Sequence, residues 1–259
     1  MRVPLSVPRR RVAAIWSMGR RMLDVGDRSD QGKVTLRRVG RLARYNAWTW
    51  EKFAPYVGDR VLEIGAGIGT MTANLVDRPL VIATDVDPDY LRALRDRFGG
   101  YGNVEVRRLD VTTLTGTDWR EARLDTVLCA NVLEHIEDDA KALPEMYRAL
   151  EPGGRLLLLV PAHPAAFGTI DIGVGHFRRY RRRDLVELLV GARFRVRRLM
   201  FHNRIGLVPW YVNGRLLRRR AVPGFQSRVN DVLVPLLRFE EWLPLPFGLS
   251  LIAVAEKHL

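Results

Sequence analysis

With 259 residues, 47% of them hydrophobic, and a formal charge of +13, the chain can bury the core of one large α/β domain with added segments. A single cysteine, Cys129, excludes an intrachain disulfide, and nowhere do ~18 uncharged apolar residues run together as a spanning helix requires. Near the start, the apolar stretch from Val12 to Trp16 is too short for a secretory signal core, so a cytoplasmic location is expected.

The charge is unevenly placed. Residues 1–58 carry 13 basic and 4 acidic side chains, residues 59–162 carry 12 and 18, and residues 163–259 carry 17 and 7, so an acidic centre is flanked by two basic arms. A positive potential suits nucleic acid, anionic lipid or an acidic substrate alike. Of the 42 basic residues 38 are arginine, a skew that GC-rich coding produces unaided, and an ordinary solvated surface is an equal reading.

In the first arm, residues 33–54 read as one helix bearing Tyr45, Trp48, Trp50 and Phe53, closed by Pro55 and Gly58 and expected to cover the open edge of a sheet. Short β-rich runs follow: RVLEIG (60–65), LVIATD (80–85), VEVRRLD (104–110), DTVLCA (125–130) and RLLLLVP (155–161). Between them, Pro88 to Phe98 repeats apolar residues at three- and four-residue spacing, and a second helical pattern runs from Asp138 to Leu150. Five βα units in a row predict a doubly wound parallel α/β sheet, with ligands beyond the carboxyl ends of the strands. A helix near Arg183 to Val190, a strand near Phe194 to Phe201 and a last strand, LSLIAVAEK (249–257), complete it. Roughly forty-five residues with helical patterning, Asn203 to Phe247, separate those two strands, a length that usually signals a job. The chain thus divides into a basic N-terminal helical segment (1–54), a cofactor-binding core (55–202), and a helical insertion with the final strand (203–259).

EIGAGIGT, Glu63 to Thr70, stands directly after the first strand. Its glycines at 65, 67 and 69 let the backbone turn sharply and approach a ligand, with Ala66 inside the turn, and the spacing G-x-G-x-G differs from the dinucleotide fingerprint G-x-G-x-x-G. Asp85 ends the second strand, where a carboxylate accepts hydrogen bonds from both hydroxyls of a ribose. Val86 follows it, and Asp87 points elsewhere by strand alternation. Asp110 closes the third strand in position to accept from an adenine amino group, with Val111 as an apolar contact. Asn131 and Val132, in CANVLEHI, lie after the fourth strand opposite the glycine turn.

EIGAGIGT, ATDVDPDYL, RRLDVT and CANVLEHIEDDAKALPEMYRALEPGGRLLLLVPA resemble, in kind, order and spacing, the successive motifs of class I S-adenosylmethionine-dependent methyltransferases, over about residues 40 to 162. The resemblance implies a seven-stranded Rossmann-like sheet whose last strand is antiparallel. It also implies S-adenosyl-L-methionine as cofactor, S-adenosyl-L-homocysteine as product, and Glu63, Gly65, Gly67, Asp85, Asp110 and Asn131 around them. Tyr45 or Trp50 would cover the methionine end, unless these aromatics simply pack.

A methyl sulfonium is already activated, so the enzyme chiefly aligns a nucleophile and, for a hydroxyl acceptor, removes its proton. His135, His163 and His176 are the histidines that strand-end loops can bring there. His135 reads equally as a structural hydrogen bonder. GTIDIGVGHFRRYRRRDL resembles the G-H-x-R-R-Y segment of small-molecule and lipid-pathway members. It either closes over substrate, with His176 or Tyr180 handling a proton and Arg178 holding an anion, or its arginines cap the next helix and pair with Asp184 or Glu187. The histidines are scattered, with no H-x₃-H or C-x₂-C spacing, so no metal is expected.

The insertion sets Ile205, Leu207, Val208, Trp210, Tyr211, Leu216 and Leu217 beside Arg204, Arg215 and Arg218 to Arg220. That composition suits an interfacial helix or a cover for a greasy substrate, and equally sheet packing or a homodimer contact. The leading expectation is methyl transfer to oxygen or nitrogen of a small-molecule or lipid-linked metabolite, with peripheral membrane contact. An RNA or protein methyltransferase using the basic flanks is second; the lack of an RNA-binding module and of an Asn-Pro-Pro-Tyr-like tetrad stands against nucleic acid. A non-catalytic cofactor-binding regulator is third.

Overall fold

The structure, a computed structural model, describes residues 25–113, 117–221, 224–242 and 245–258. The basic stretch 1–24, with Val12 to Trp16, lies outside the described residues.

The β-rich runs become β1 (Arg60–Ile64), β2 (Leu80–Asp85), β3 (Val104–Arg108), β4 (Leu124–Ala130), β5 (Leu150–Pro161), β6 (Arg195–His202) and β7 (Ser250–Glu256). They form a seven-stranded sheet in the order β3-β2-β1-β4-β5-β7-β6. Neighbours among the first five strands are parallel, and β7 is antiparallel to both β5 and β6. This is the expected Rossmann-like methyltransferase sheet. β5 starts earlier than its apolar run. Leu124 pairs with Leu150 and Thr126 with Arg155, so the residues between bulge out and EPGG is carried inside the strand.

Strand alternation builds a core on each face of the sheet. Leu62, Ile64, Val127, Cys129, Leu156, Leu158 and Ala253 face one way, against Leu143 and Met146 of one helix and Leu185 and Leu189 of another. Val61, Val81, Leu128, Leu157, Leu159, Ile252 and Val254 face the other way, against Phe53. Most of these side chains are wholly buried, which explains why the strands read as unbroken apolar runs.

The helices are α1 (Val25–Gly40), α2 (Ala43–Phe53), α3 (Pro88–Phe98), α4 (Thr117–Ala122), α5 (Asp139–Ala149), α6 (Thr169–Val174), α7 (Arg182–Gly191), α8 (Leu207–Tyr211) and α9 (Gly224–Leu237). Two expectations are corrected. The single helix over 33–54 is broken at Arg41 and Leu42, where Gly40 lies so close to the glycine turn that a Cβ on it would sit 2.5 Å from Ile68 Cδ1. Its second half lies on a sheet face through Phe53 and also reaches the edge strand β6, where Thr49 and Trp48 meet His202. The stretch expected as a glycine-rich loop contains the short α6, stopped by Gly175 in the left-handed conformation.

Segments far apart in sequence meet above the carboxyl ends of the strands. The Tyr45 amide donates to Asp231 Oδ1 at 2.8 Å and the Arg44 guanidinium to the Val232 carbonyl at 3.0 Å, tying α2 to α9. Thr169 Oγ1 of α6 donates to the Gly214 carbonyl at 3.0 Å, in the π-helical turn Val212–Leu216 that prolongs α8. α1 packs against both α6 and α9.

Candidate active site

In the sheet order, β1 is followed in sequence by β2 on one side and flanked by β4 on the other, so the chain reverses its winding at the carboxyl end of β1. That crevice is where a doubly wound sheet takes a ligand. Two glycines shape it. Gly65 has φ 67° and Gly67 φ 57°, the left-handed region, and a Cβ on Gly65 would stand 2.4 Å from Val132 Cγ2. The turn is pinned to β2 by the Ala66 amide on the Thr84 carbonyl at 2.8 Å and by the Gly67 amide on Asp85 Oδ2 at 2.9 Å.

Asp85 is buried, and its other oxygen accepts the Asp87 amide at 2.9 Å. Burial pushes its carboxyl up from the ordinary range. Asp87 turns away, as alternation requires, and caps α3 by accepting the Asp89 amide. Glu63, fully desolvated beneath the turn, accepts Thr72 Oγ1 at 2.6 Å, and burial pushes its carboxyl up to about 7. Lys33 of α1 pairs with Asp87 at 3.2 Å and with Asp89 at 2.7 Å, latching that helix over the crevice.

The remaining wall is mixed. Val86 is exposed, Asn131 is exposed with φ 55°, and Val132 closes on Gly65. Asp110, also exposed, accepts the Thr112 amide at 2.9 Å, while Val111 is buried in the core. The two aromatics expected at the methionine end have packing partners of their own. Tyr45 lies beside Trp48 and His202 and hydrogen-bonds with Thr49 and Asn203, and Trp50 packs on the core that holds Phe53. The side chain nearest the vacant Cβ position of Gly67 is Leu36, from α1, which the sequence reading did not single out.

Beside the crevice lies a second polar group. The His135 and His176 rings stand 4.7 Å apart and almost perpendicular. His176 Nδ1 lies 2.9 Å from Asp171 Oδ1, and that buried carboxylate also receives Arg179 Nε at 2.8 Å, the Gly168 amide at 2.9 Å and Trp210 Nε1 at 3.2 Å. The donors outweigh burial, so the Asp171 carboxyl is held below the ordinary range. Glu134 is fully buried, with its carboxyl pushed up to about 7 by burial. The His135 imidazole is pushed down by desolvation within this cluster and by His176, although its outer edge reaches solvent.

Tyr180 does not join them. Its hydroxyl is buried and donates to Asp139 Oδ2 at 2.8 Å; burial and that carboxylate push the phenol far up, which removes it as a proton carrier. Arg178 pairs with the same Asp139 and Arg179 with Asp171, so neither holds the partners expected of these arginines; the Glu187 pairing belongs to Arg183. His163 stacks on Phe201 and accepts the Gly248 amide at 3.3 Å, which ties the end of β5 to the start of β7. A groove lined by Pro144, Tyr147, Leu150, Arg193 and Lys257 opens at the opposite end of the strands and carries none of these groups.

Residues 62–156, which span this crevice, match the family model described as a methyltransferase domain. The chain is similar to methyltransferases over this stretch, which is under half of its length. Among curated relatives it is 33% identical over 125 residues to a demethylmenaquinone methyltransferase of Clavibacter sepedonicus, covering 48% of this chain and 50% of that one. It is 34% identical over 127 residues to the ubiquinone/menaquinone biosynthesis C-methyltransferase UbiE of Teredinibacter turnerae, covering 44% and 50%. The chain therefore spans about half the length of the curated relatives it matches. Two solved structures share the fold of this domain and its flanking helices. An S-adenosylmethionine-dependent methyltransferase of Mesorhizobium loti gives a TM-score of 0.57 at 16% identity, over 83% of this chain and 100% of that one. A chain in the complex of the Haloferax volcanii Trm112 methyltransferase activator with a methyltransferase gives 0.62 at 16% identity, over 90% and 98%.

Proposed function

We propose that this protein is an S-adenosylmethionine-dependent methyltransferase acting at oxygen or nitrogen of a small-molecule or lipid-linked metabolite. The observation that carries the reading is the turn at Gly65 and Gly67 hydrogen-bonded to Asp85, at the switch point of a methyltransferase domain. The donor set fits the cofactor. Asp85 is an acceptor for ribose hydroxyls, Asp110 for the adenine amino group, and the bare glycine turn with Glu63 beneath it leaves room for the amino-acid end. Once bound, the cofactor supplies an electrophilic methyl group on its sulfonium.

The chain's own residues then have two tasks. α1, α6 and the insertion form a roof that holds the acceptor in line and excludes water. The polar end around His135 and His176 faces the acceptor, with Asp171 orienting His176. Exposed Val208, Tyr211, Leu216 and Leu217, near Arg215, Arg218 and Arg220, support contact with a lipid surface from which a greasy acceptor is drawn. A second reading places the methyl on a ring carbon. It is favoured by the printed names of the relatives, one a C-methyltransferase of quinone biosynthesis.

The test is incubation with methyl-labelled S-adenosylmethionine and a cell extract, followed by separation of solvent-soluble metabolites, nucleic acid and protein, with Asp85→Ala as control. Label in the solvent-soluble fraction that vanishes in the variant supports the proposal, and base-labile or base-stable label in the isolated product separates ester from carbon or amine. Label in nucleic acid or protein alone overturns it.

A further inference from the structure

Glu134 is enclosed on all sides, yet neither of its carboxylate oxygens has a hydrogen-bond partner among the described residues. A carboxylate shut away from water without a donor is rare and demands an explanation. Charge balance sharpens the point. Arg179 and Asp171 neutralise one another in a direct pair at 2.8 Å, which leaves Glu134 without a direct ion-pair partner of its own in the cluster.

Two imidazoles face it. His176 Nε2 lies 3.7 Å from Glu134 Oε1, and one ligand atom from each of Glu134, His135 and His176 lies within 4.8 Å of the others. Around an ion bound at about 2.0–2.1 Å, tetrahedral ligands are roughly 3.4 Å apart, so the Glu134–His176 pair is already near that spacing and the His135 atom must close on it by up to about 1.4 Å. At 3.7 Å the Glu134 and His176 contact is long for a charge-assisted hydrogen bond. We propose that Glu134, His135 and His176 form a site for one divalent transition-metal ion of borderline character, such as Zn²⁺, Mn²⁺ or Co²⁺.

The surroundings have the form that a metal site needs. His176 Nδ1 is already engaged on Asp171, which Arg179 and Trp210 hold in turn, and the His135 ring hydrogen-bonds with the Gly175 backbone. Such outer partners fix the ring and leave the other nitrogen to coordinate. The exposed edge of His135 provides an entry path. Imidazole with carboxylate selects zinc, manganese or cobalt over magnesium, and three protein ligands leave positions open for an acceptor oxygen. A cation there would acidify a coordinated hydroxyl, giving the domain a preference for hydroxyl acceptors. The spacing is invisible as a linear motif, because His176 arrives from beyond β5, after α6.

The experiment uses the full chain without an affinity tag, stripped by chelator and titrated with Co²⁺, reading visible ligand-field absorption, and with Zn²⁺ by calorimetry. Neither cofactor nor acceptor is present, so the outcome is independent of methyl transfer. The expected result is one Co²⁺ per chain with bands of a mixed nitrogen and oxygen site, and a rise in melting temperature with Zn²⁺. His135→Ala and Glu134→Gln each raise the Kd about a hundredfold or more, beyond the 10–100-fold that loss of an outer partner brings. The first alters a side chain with an exposed edge and the second is isosteric, so both should keep the metal-free melting temperature. Wild-type protein that takes up no Co²⁺ at about 1 mM, or a double variant that binds as tightly as wild type, overturns the proposal.

Discussion

Asp85 and Gly65 do different work within a few ångströms, and substitutions separate them. Asp85→Asn keeps one of two acceptors and loses the charge, and hydrogen bonds to charged groups contribute about 1.5–3 kcal/mol, so cofactor affinity by calorimetry should fall about 10–100-fold, with a drop in melting temperature from the backbone amide left facing the side-chain NH2. Gly65→Ala should destabilise, because its Cβ meets Val132 and the left-handed φ costs a non-glycine residue about 1–2 kcal/mol. Val132→Ala in the same chain should recover part of that loss, the steric part, and urea unfolding of the double variant measures it. Glu63 gives a pH signature. Its carboxyl titrates at about 7 in the folded chain against 4.5 unfolded, so its contribution is fully present below the unfolded value and is lost as pH rises towards 7. The loss amounts to up to about 3 kcal/mol. Glu63→Gln keeps the acceptor for Thr72 and should reduce the fall in stability between pH 4.5 and 7, leaving the share that Glu134 contributes over the same window; an unchanged slope would show that Glu63 is not among the groups responsible. Glu63, Gly65, Gly67, Asp85 and Val132 were legible because each stands at a strand end inside a spaced motif. Asp171, Arg179 and Trp210 were not. Their roles come from a carboxylate that gathers donors from α6, the segment after it and α8, and pairing across a fold leaves no periodic trace.

At the scale of elements, the roof over the crevice is held by few and local contacts. Lys33 bridges α1 to Asp87 and Asp89 at the margin of the fold, so Lys33→Ala should have little effect on global unfolding while raising hydrogen exchange in residues 25–40. Asp231→Ala removes the acceptor of the Tyr45 amide and should loosen α9 from α2, at a cost of about 1 kcal/mol, with faster exchange in both helices. Exchange that rises equally throughout the protein in either variant would mean that the roof and the sheet open as one unit. The strands and α3, α5 and α7 were readable because their apolar patterns agree with burial, and Asp87 caps α3. The break at Arg41 was not, since a helical pattern runs on through it and only the approach of Ile68 to Gly40 interrupts it.

Across the whole molecule, an acidic sheet-bearing centre is framed by basic segments, and exposed apolar residues gather on the insertion. Among the described residues no helix is long and apolar enough to cross a membrane, so contact with lipid would be made by this face. Sedimentation with anionic vesicles should fall as ionic strength rises, and Leu216→Ser with Leu217→Ser should weaken it several-fold at constant salt. Binding that ignores both changes would remove the lipid surface from the scheme.

The placement of β7 reaches beyond catalysis. Made last of the seven strands, it lies between β5 and β6, with a backbone ladder on each side. Until residues 250–256 have left the ribosome, β5 has an open edge and β6 lacks its partner in the sheet. During synthesis the nascent domain therefore presents two unpaired strand edges at once, that of β5 apolar, and a chaperone that masks strand edges would have its work here, for as long as the insertion takes to translate.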